Sequence, residues 1–296
     1  MAKIVFETKK VAVAIPTRPL ARLPEAVVSD PYNGLNPPLI DFDRKMVLSW
    51  SAKSACTHVL IWFLFKNGLL HAANYYNAWP HEFRQDVISK SKVYLSARND
   101  VINNPQKYSF IRFMRDPIAR LSSSLRHMLR SRYNEDELSI ALRRKFSVET
   151  GLTVREFISY MQLVDLKNTN PHHASQVNKV DYMDGFSRKF FVRLDTPDRS
   201  IGEQINVIEA ELKQLVTDFS KIKKLDWVKQ THYQDDSSEG EQEITLDTVL
   251  THQDGLHWPS TKLTDFLRAR PEILELLAED IRLYENPAEF GFTMIV

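Results

Sequence analysis

An α/β fold with mostly parallel strands is predicted by two observations on this 296-residue chain. Short β-rich apolar runs alternate with amphipathic ones, and each clear run is followed directly by a polar turn and a helical pattern. No internal repeat is seen, so a solenoid or propeller is not expected. With 43% hydrophobic and 26% charged residues the chain has enough apolar material for a core and too much for a disordered polymer. One domain over 1–296 is expected.

The first 45 residues contain many prolines and little period, ending in NGLNPPLIDFD, and read as a strand and irregular arm (about 1–45) packed on the domain. Met46–Trp50 (MVLSW), Tyr108–Phe113 (YSFIRF) and Lys189–Leu194 (KFFVRL) read as strands. Asp116-Pro117 suits a first helical turn, and Ile118, Leu121, Leu125, Met128 and Leu129 then mark one buried stripe. Ile201, Ile205, Ile208, Leu212 and Leu215 repeat the pattern after Thr196-Pro197-Asp198, as do Leu274, Leu277, Ile281 and Tyr284 near the C-terminus. Residues 235–243 (DDSSEGEQE) hold five acids and no base, so a mobile acidic loop is expected at about 234–244.

Cys56 is the single cysteine, which rules out an intramolecular disulfide. The start carries lysines inside what would be an apolar signal core. The run Val59–Phe65 is far shorter than the roughly 20 residues of a membrane span. A soluble, cytoplasmic protein without a transmembrane anchor is expected.

The formal net charge is +1, which argues against a coat for a nucleic-acid polymer but not against a local anion site. Charge is in fact segregated. From Arg98 to Arg132 eight lysines and arginines stand against Asp100 and Asp116, an excess of +6. Arginines beyond position 125 read mainly as a solvated helix face, whereas Arg115 sits at a strand-to-helix turn.

Two segments carry chemistry. In Val47–His58 (VLSWSAKSACTH) a strand ends, a turn of small residues follows and a helix begins. Small side chains let an anion approach the backbone, and the free N–H groups of a helix start favour phosphate. Backbone groups of Ser54, Ala55, Cys56 and Thr57 would hold it, Lys53 adding a point charge and Thr57 or Ser54 a hydroxyl. The segment resembles a P-loop in mechanism but not in letters, since both glycines of G-x-x-x-x-G-K-[ST] are absent. The second segment, Phe113–Ser123 (FMRDPIARLSS), again joins strand to helix, and Arg115 with Ser123 can converge on one phosphate. An Arg115 held in an ion pair is the alternative.

Together the segments resemble the sulfotransferases that use 3′-phosphoadenosine 5′-phosphosulfate (PAPS). That family carries a P-K-x-[AG]-[CST]-[ST] type loop for the 5′-phosphosulfate and an F-V-R-[DE]-P-x-x-R-L-x-S segment for the 3′-phosphate. The second is matched nearly throughout, the order and separation agree, and KSACTHVL is most similar to the Golgi-type carbohydrate sulfotransferases. The match covers about Met46 to Ser124. Weaker similarities lie in Phe191–Thr196, in Ile281–Phe292 and in Asn170–Gln176, where His173 replaces a tryptophan. Ala52 in place of proline, and the missing paired cysteines and membrane anchor, depart from the Golgi pattern and suggest a soluble, bacterial-type relative.

The resemblance implies a P-loop-like three-layer fold with a central, mostly parallel sheet flanked by helices. It implies sulfuryl transfer from PAPS to a hydroxyl, on a carbohydrate or related small molecule, with Lys53 at the leaving-group oxygens and no metal. Arg115 and Ser123 would hold the 3′-phosphate. The general base is open among His172, His81, His71 and Glu82; His173 and Cys56 read as structural. His252 and His257 in THQDGLHWPS read as a substrate loop, because a spacing of five makes no convincing helical metal pair. Acceptor choice is expected in variable loops at 66–106, 130–190 and 229–262. A nucleotide kinase-like phosphate-loop enzyme and a non-catalytic nucleotide- or glycan-binding member are the competing readings.

Overall fold

The computed structural model describes residues 37–232, 243–257 and 260–295. The expected acidic loop falls almost wholly on 233–242 and most of the N-terminal arm on 1–36, both outside the described residues.

The central sheet contains β1 (Leu39–Asp41), β2 (Met46–Ser49), β3 (Ser109–Met114), β5 (Arg188–Arg193) and β7 (Thr293–Met294), in that spatial order. β1 runs antiparallel to β2, and the pairs β2 with β3, β3 with β5 and β5 with β7 are parallel. A separate ribbon joins β4 (Leu152–Thr153) to β6 (Val249–Leu250). The three expected strands are found within one residue at either end.

Side-chain alternation sorts the strands between two helical layers. Leu48, Ile111, Phe113, Phe190 and Val192 pack on one face with α1 (Cys56–Lys66). Val47, Phe110, Met114 and Phe191 pack on the other with residues of the helix Lys92–Asn103 and with Leu283. Both faces are covered, which is why β2, β3 and β5 are apolar nearly throughout. From Val59 to Leu64 every residue of α1 is buried, so this helix lies inside the molecule instead of offering one stripe. Trp62 donates to Glu209 at 3.1 Å and so ties α1 to the helix Ile201–Glu211.

Three smaller helical segments follow α1: α2 (Leu70–Tyr76), α3 (Pro80–Phe83) and a π turn, Arg84–Ile88. With α4 (Lys92–Asn103) they make 66–106 mainly helical, not the loop expected there. α5 (Pro117–Arg130) begins as its sequence requires: Asp116 accepts from the Ala119 N–H at 2.8 Å and Pro117 takes the first turn. All five stripe residues from Ile118 to Leu129 are buried, against the helices α6 (Glu135–Leu142) and α7 (Val154–Leu163) and further C-terminal elements.

Three expectations are corrected. The helix α8 (Ile201–Glu211) stops before Leu212, because Lys213 takes a left-handed φ of 54°; Leu215 is 87% exposed. The C-terminal periodicity is split into two helices, Pro271–Leu276 and Ala278–Glu285, at Leu277, whose ψ of 14° leaves the helical region. His252–His257 is helical instead of a loop, and His252 Nδ1 lies 3.1 Å from the Leu129 carbonyl. No helix among the described residues is long and apolar enough to cross a membrane.

Candidate functional site

β2 and β3 are parallel neighbours, so the loops that leave their C-terminal ends lie side by side. These are the two segments singled out by sequence. In the first, Lys53 (φ 66°) and Ala55 (φ 50°) both occupy the left-handed region that side chains avoid. The turn closes with a 3.1 Å bond from the Ser54 N–H to the Ser51 carbonyl. α1 then starts with Ala55 at its cap and no side chain accepting from the first turn. Its leading N–H groups therefore remain for a ligand.

Gln176 locks the two loops together. Its Oε1 accepts from Ser54 at 2.7 Å and Ser51 at 3.0 Å, and its Nε2 donates to the Arg115 carbonyl at 2.9 Å. Asp280 accepts from the Gln176 N–H at 3.0 Å, while Arg112 donates to the Gln176 carbonyl and, at 2.9 Å, to Ser49. Arg112 is itself paired at 3.3 Å with Asp181, both fully buried. Arg120 adds a second brace, donating to the carbonyls of Ala52 at 3.2 Å and Pro171 at 3.0 Å. The segment 170–176 is thereby fixed against both loops.

Lys53 makes no hydrogen bond or ion pair with another described residue. Burial pushes its ammonium down to about 8, with Arg130, Arg120 and Arg115 adding to the effect and Cys56 opposing it. Arg115 places Nε 3.2 Å from Asp195, whose other oxygen takes the Asp116 N–H at 2.5 Å. The ion pair foreseen as an alternative thus exists, but it engages one edge of the guanidinium and leaves its outer nitrogens unbonded within the described residues. Ser123 is half-buried on the second turn of α5.

Ser54 is turned inward: its hydroxyl and N–H are both committed, so it shapes the loop. Thr57 Oγ1 lies 3.1 Å from His81 Nε2, bringing α3 against the first turn of α1. His172 sits near Lys53, its Nδ1 3.0 Å from Asn170 and its ring 4.4 Å from that of His127. Burial, then Lys53 and Arg120, push His172 down to about 4. His173 is fully buried, with Nε2 2.9 Å from Tyr160 and 3.0 Å from Thr169, a structural residue as expected. Burial first, then Arg120 and His172, bring it to about 3. His71 and Glu82 are exposed and make no hydrogen bond to the loop.

Sequence reasoning brought Lys53, Thr57, Arg115, His172 and His81 to one region. It missed the bracing by Gln176 and Arg120, although both lie in segments it had singled out, and it gave no sign of Arg84, taken up below. The arrangement offers an anion a helix start, a lysine without partner and an arginine fork. No family model, curated protein or solved structure matches the chain, so a functional reading stands on this geometry and on the motifs.

Proposed function

We propose that the protein is a PAPS-dependent sulfotransferase acting on a hydroxyl, of a carbohydrate or related small molecule, with a P-loop-like donor site. The observation that carries this is the clamping by Gln176 of an uncapped helix start, bearing unpaired Lys53, against the loop of Arg115. A donor with phosphate at both its 3′ and 5′ positions needs two anion sites at a fixed separation, and two braced neighbouring loops supply them.

In this reading the N–H groups at the start of α1 and Lys53 hold the 5′-phosphosulfate, and Arg115 and Ser123 the 3′-phosphate. The acceptor oxygen bonds to sulfur as the bond from sulfur to the 5′-phosphate oxygen breaks. Lys53 neutralises the charge left on that phosphate, and a base takes the acceptor proton. His81 is the better base. It touches Thr57 at the loop, whereas a proton on His172 would be buried and would face Lys53 and Arg120; burial first, with those two cations, holds that imidazole down near 4. His172, tied to Asn170, serves to position the loop.

Incubation with PAPS and a panel of saccharide and small alcohol acceptors should release adenosine 3′,5′-bisphosphate, and calorimetry should show that product binding with preference over ATP. Lys53→Ala should abolish turnover and Arg115→Ala should mainly weaken donor binding. The proposal fails if wild-type protein neither binds nor turns over the donor.

A further inference from the structure

Arg84 opens the π turn after α3 and is only 8% exposed. Its guanidinium carbon lies 5.7 Å from the ring of Trp50, the residue that leads from β2 into the anion loop. Its Nε is buried without a hydrogen-bond partner among the described residues. Burial holds its pKa below the usual value, and the groups that oppose this are Cys56 and Tyr94, neither a carboxylate.

Arg112 also has a buried Nε without a hydrogen bond, but the other buried guanidiniums of this region are served through their remaining nitrogens or by a carboxylate. Arg112 is bonded to Ser49, Gln176 and Asp181, and Arg120 to two carbonyls. A buried cation kept for structure is normally satisfied in this way, because leaving it bare forfeits its hydration for nothing. Among the described residues the Arg84 guanidinium meets an aromatic face and no hydrogen-bond acceptor. α3 runs directly into Arg84 and meets the first turn of α1 where His81 Nε2 lies 3.1 Å from Thr57 Oγ1, so Arg84 belongs to the element that flanks the helix start. π turns also recur where a side chain must be delivered out of helical register to a site.

We propose that Arg84 is a further anion-binding residue, gripping the same oxyanion that the start of α1 and Lys53 hold. On the donor reading given above, on which this identification of the ligand rests, that oxyanion is the 5′-phosphosulfate end. Arg84 then separates donor ends: it acts on the 5′ group and not on the 3′-phosphate.

The test is calorimetry of wild type, Arg84→Gln and Arg84→Lys with three probes: adenosine 3′,5′-bisphosphate, adenosine 3′-monophosphate and inorganic pyrophosphate. Arg84→Gln should weaken the bisphosphate and pyrophosphate at least about tenfold, the loss of one charge-assisted contact, and leave the 3′-monophosphate within about twofold. Arg84→Lys, which keeps the charge, should fall between. Thermal melts without anion provide the control a structural role would move: removing an unpaired buried cation should leave the melting temperature equal or raise it. A lowered melting temperature with undiminished pyrophosphate affinity overturns the proposal, as does equal weakening of all three probes. Pyrophosphate binding that needs Arg84, without any nucleotide binding, sustains the Arg84 site and removes the donor reading. Nucleotide binding indifferent to Arg84→Gln does the reverse, and a wild type that binds none of the probes removes both.

Discussion

Lys53→Met should make the protein more stable at neutral pH and flatten its dependence on alkali. A lysine whose native pKa is about 8 against an ordinary 10.5 binds its proton less tightly when folded. Between those values the unfolded chain holds more protons than the native one, so stability rises with pH across the window; the penalty is fully present below pH 8. At ~1.4 kcal/mol per pH unit the full displacement is worth about 3 kcal/mol. Integrated only from pH 7 to 9.5 it gives wild type about 2 kcal/mol that Lys53→Met does not gain. Urea denaturation of both proteins at pH 7, 8, 9 and 9.5 measures it, in a Cys56→Ser background that keeps thiol chemistry out of the alkaline samples. At pH 7 the variant should be the more stable by up to about 3 kcal/mol, less whatever water already reaches the ammonium. Parallel pH profiles for the two proteins would refute the claim that Lys53 is held as a desolvated cation.

Ala55→Gly should raise stability by up to about 1 kcal/mol, since glycine takes the φ of 50° without strain; a lowered denaturation midpoint would count against it. Gln176→Ala removes the acceptor shared by the buried hydroxyls of Ser51 and Ser54, leaving them only each other at 3.0 Å, and should cost about 1–3 kcal/mol, together with donor affinity; retention of both would remove Gln176 as the clamp. Gly151→Ala would place a Cβ 2.3 Å from the Leu250 carbonyl at a φ of 68°, so the ribbon of β4 and β6 should open, read as a melting temperature lower by several degrees.

Local rules were legible wherever the physics is local. Short β-rich apolar runs ending in polar turns located Met46, Ser109 and Arg188 as strand starts to within one residue, and Asp116-Pro117 announced α5 because a cap and a first-turn proline act within four residues. The helix from Ile201 was read too long because apolar spacing continues to Leu215 while the backbone turns left-handed at Lys213. The clamp was hidden for a related reason. Gln176 lies 122 positions from Ser54, and nothing in its own neighbourhood says which loop it will meet. Arg84 was more deeply hidden, since an arginine followed by Gln85 and Asp86 reads as surface until its burial beside Trp50 is seen.

Several unfavourable features of this molecule are gathered at the proposed anion site. Two non-glycine residues in left-handed conformation, a helix start without a cap, and two buried or half-buried cations without acid partners all lie between Trp50 and Arg84. A segment that only joined a strand to a helix would relieve most of them by glycine, a serine cap and a nearby carboxylate, each a common substitution. Meanwhile Arg112, Asp181, Gln176 and Asp280 form a buried network of ion pair and hydrogen bonds directly beneath, which holds the loop against relaxing. Strain above a rigid floor is the condition under which an anion binds without first reorganising its site, and an anion is the one ligand that would answer the bare helix start, Lys53 and Arg84 together.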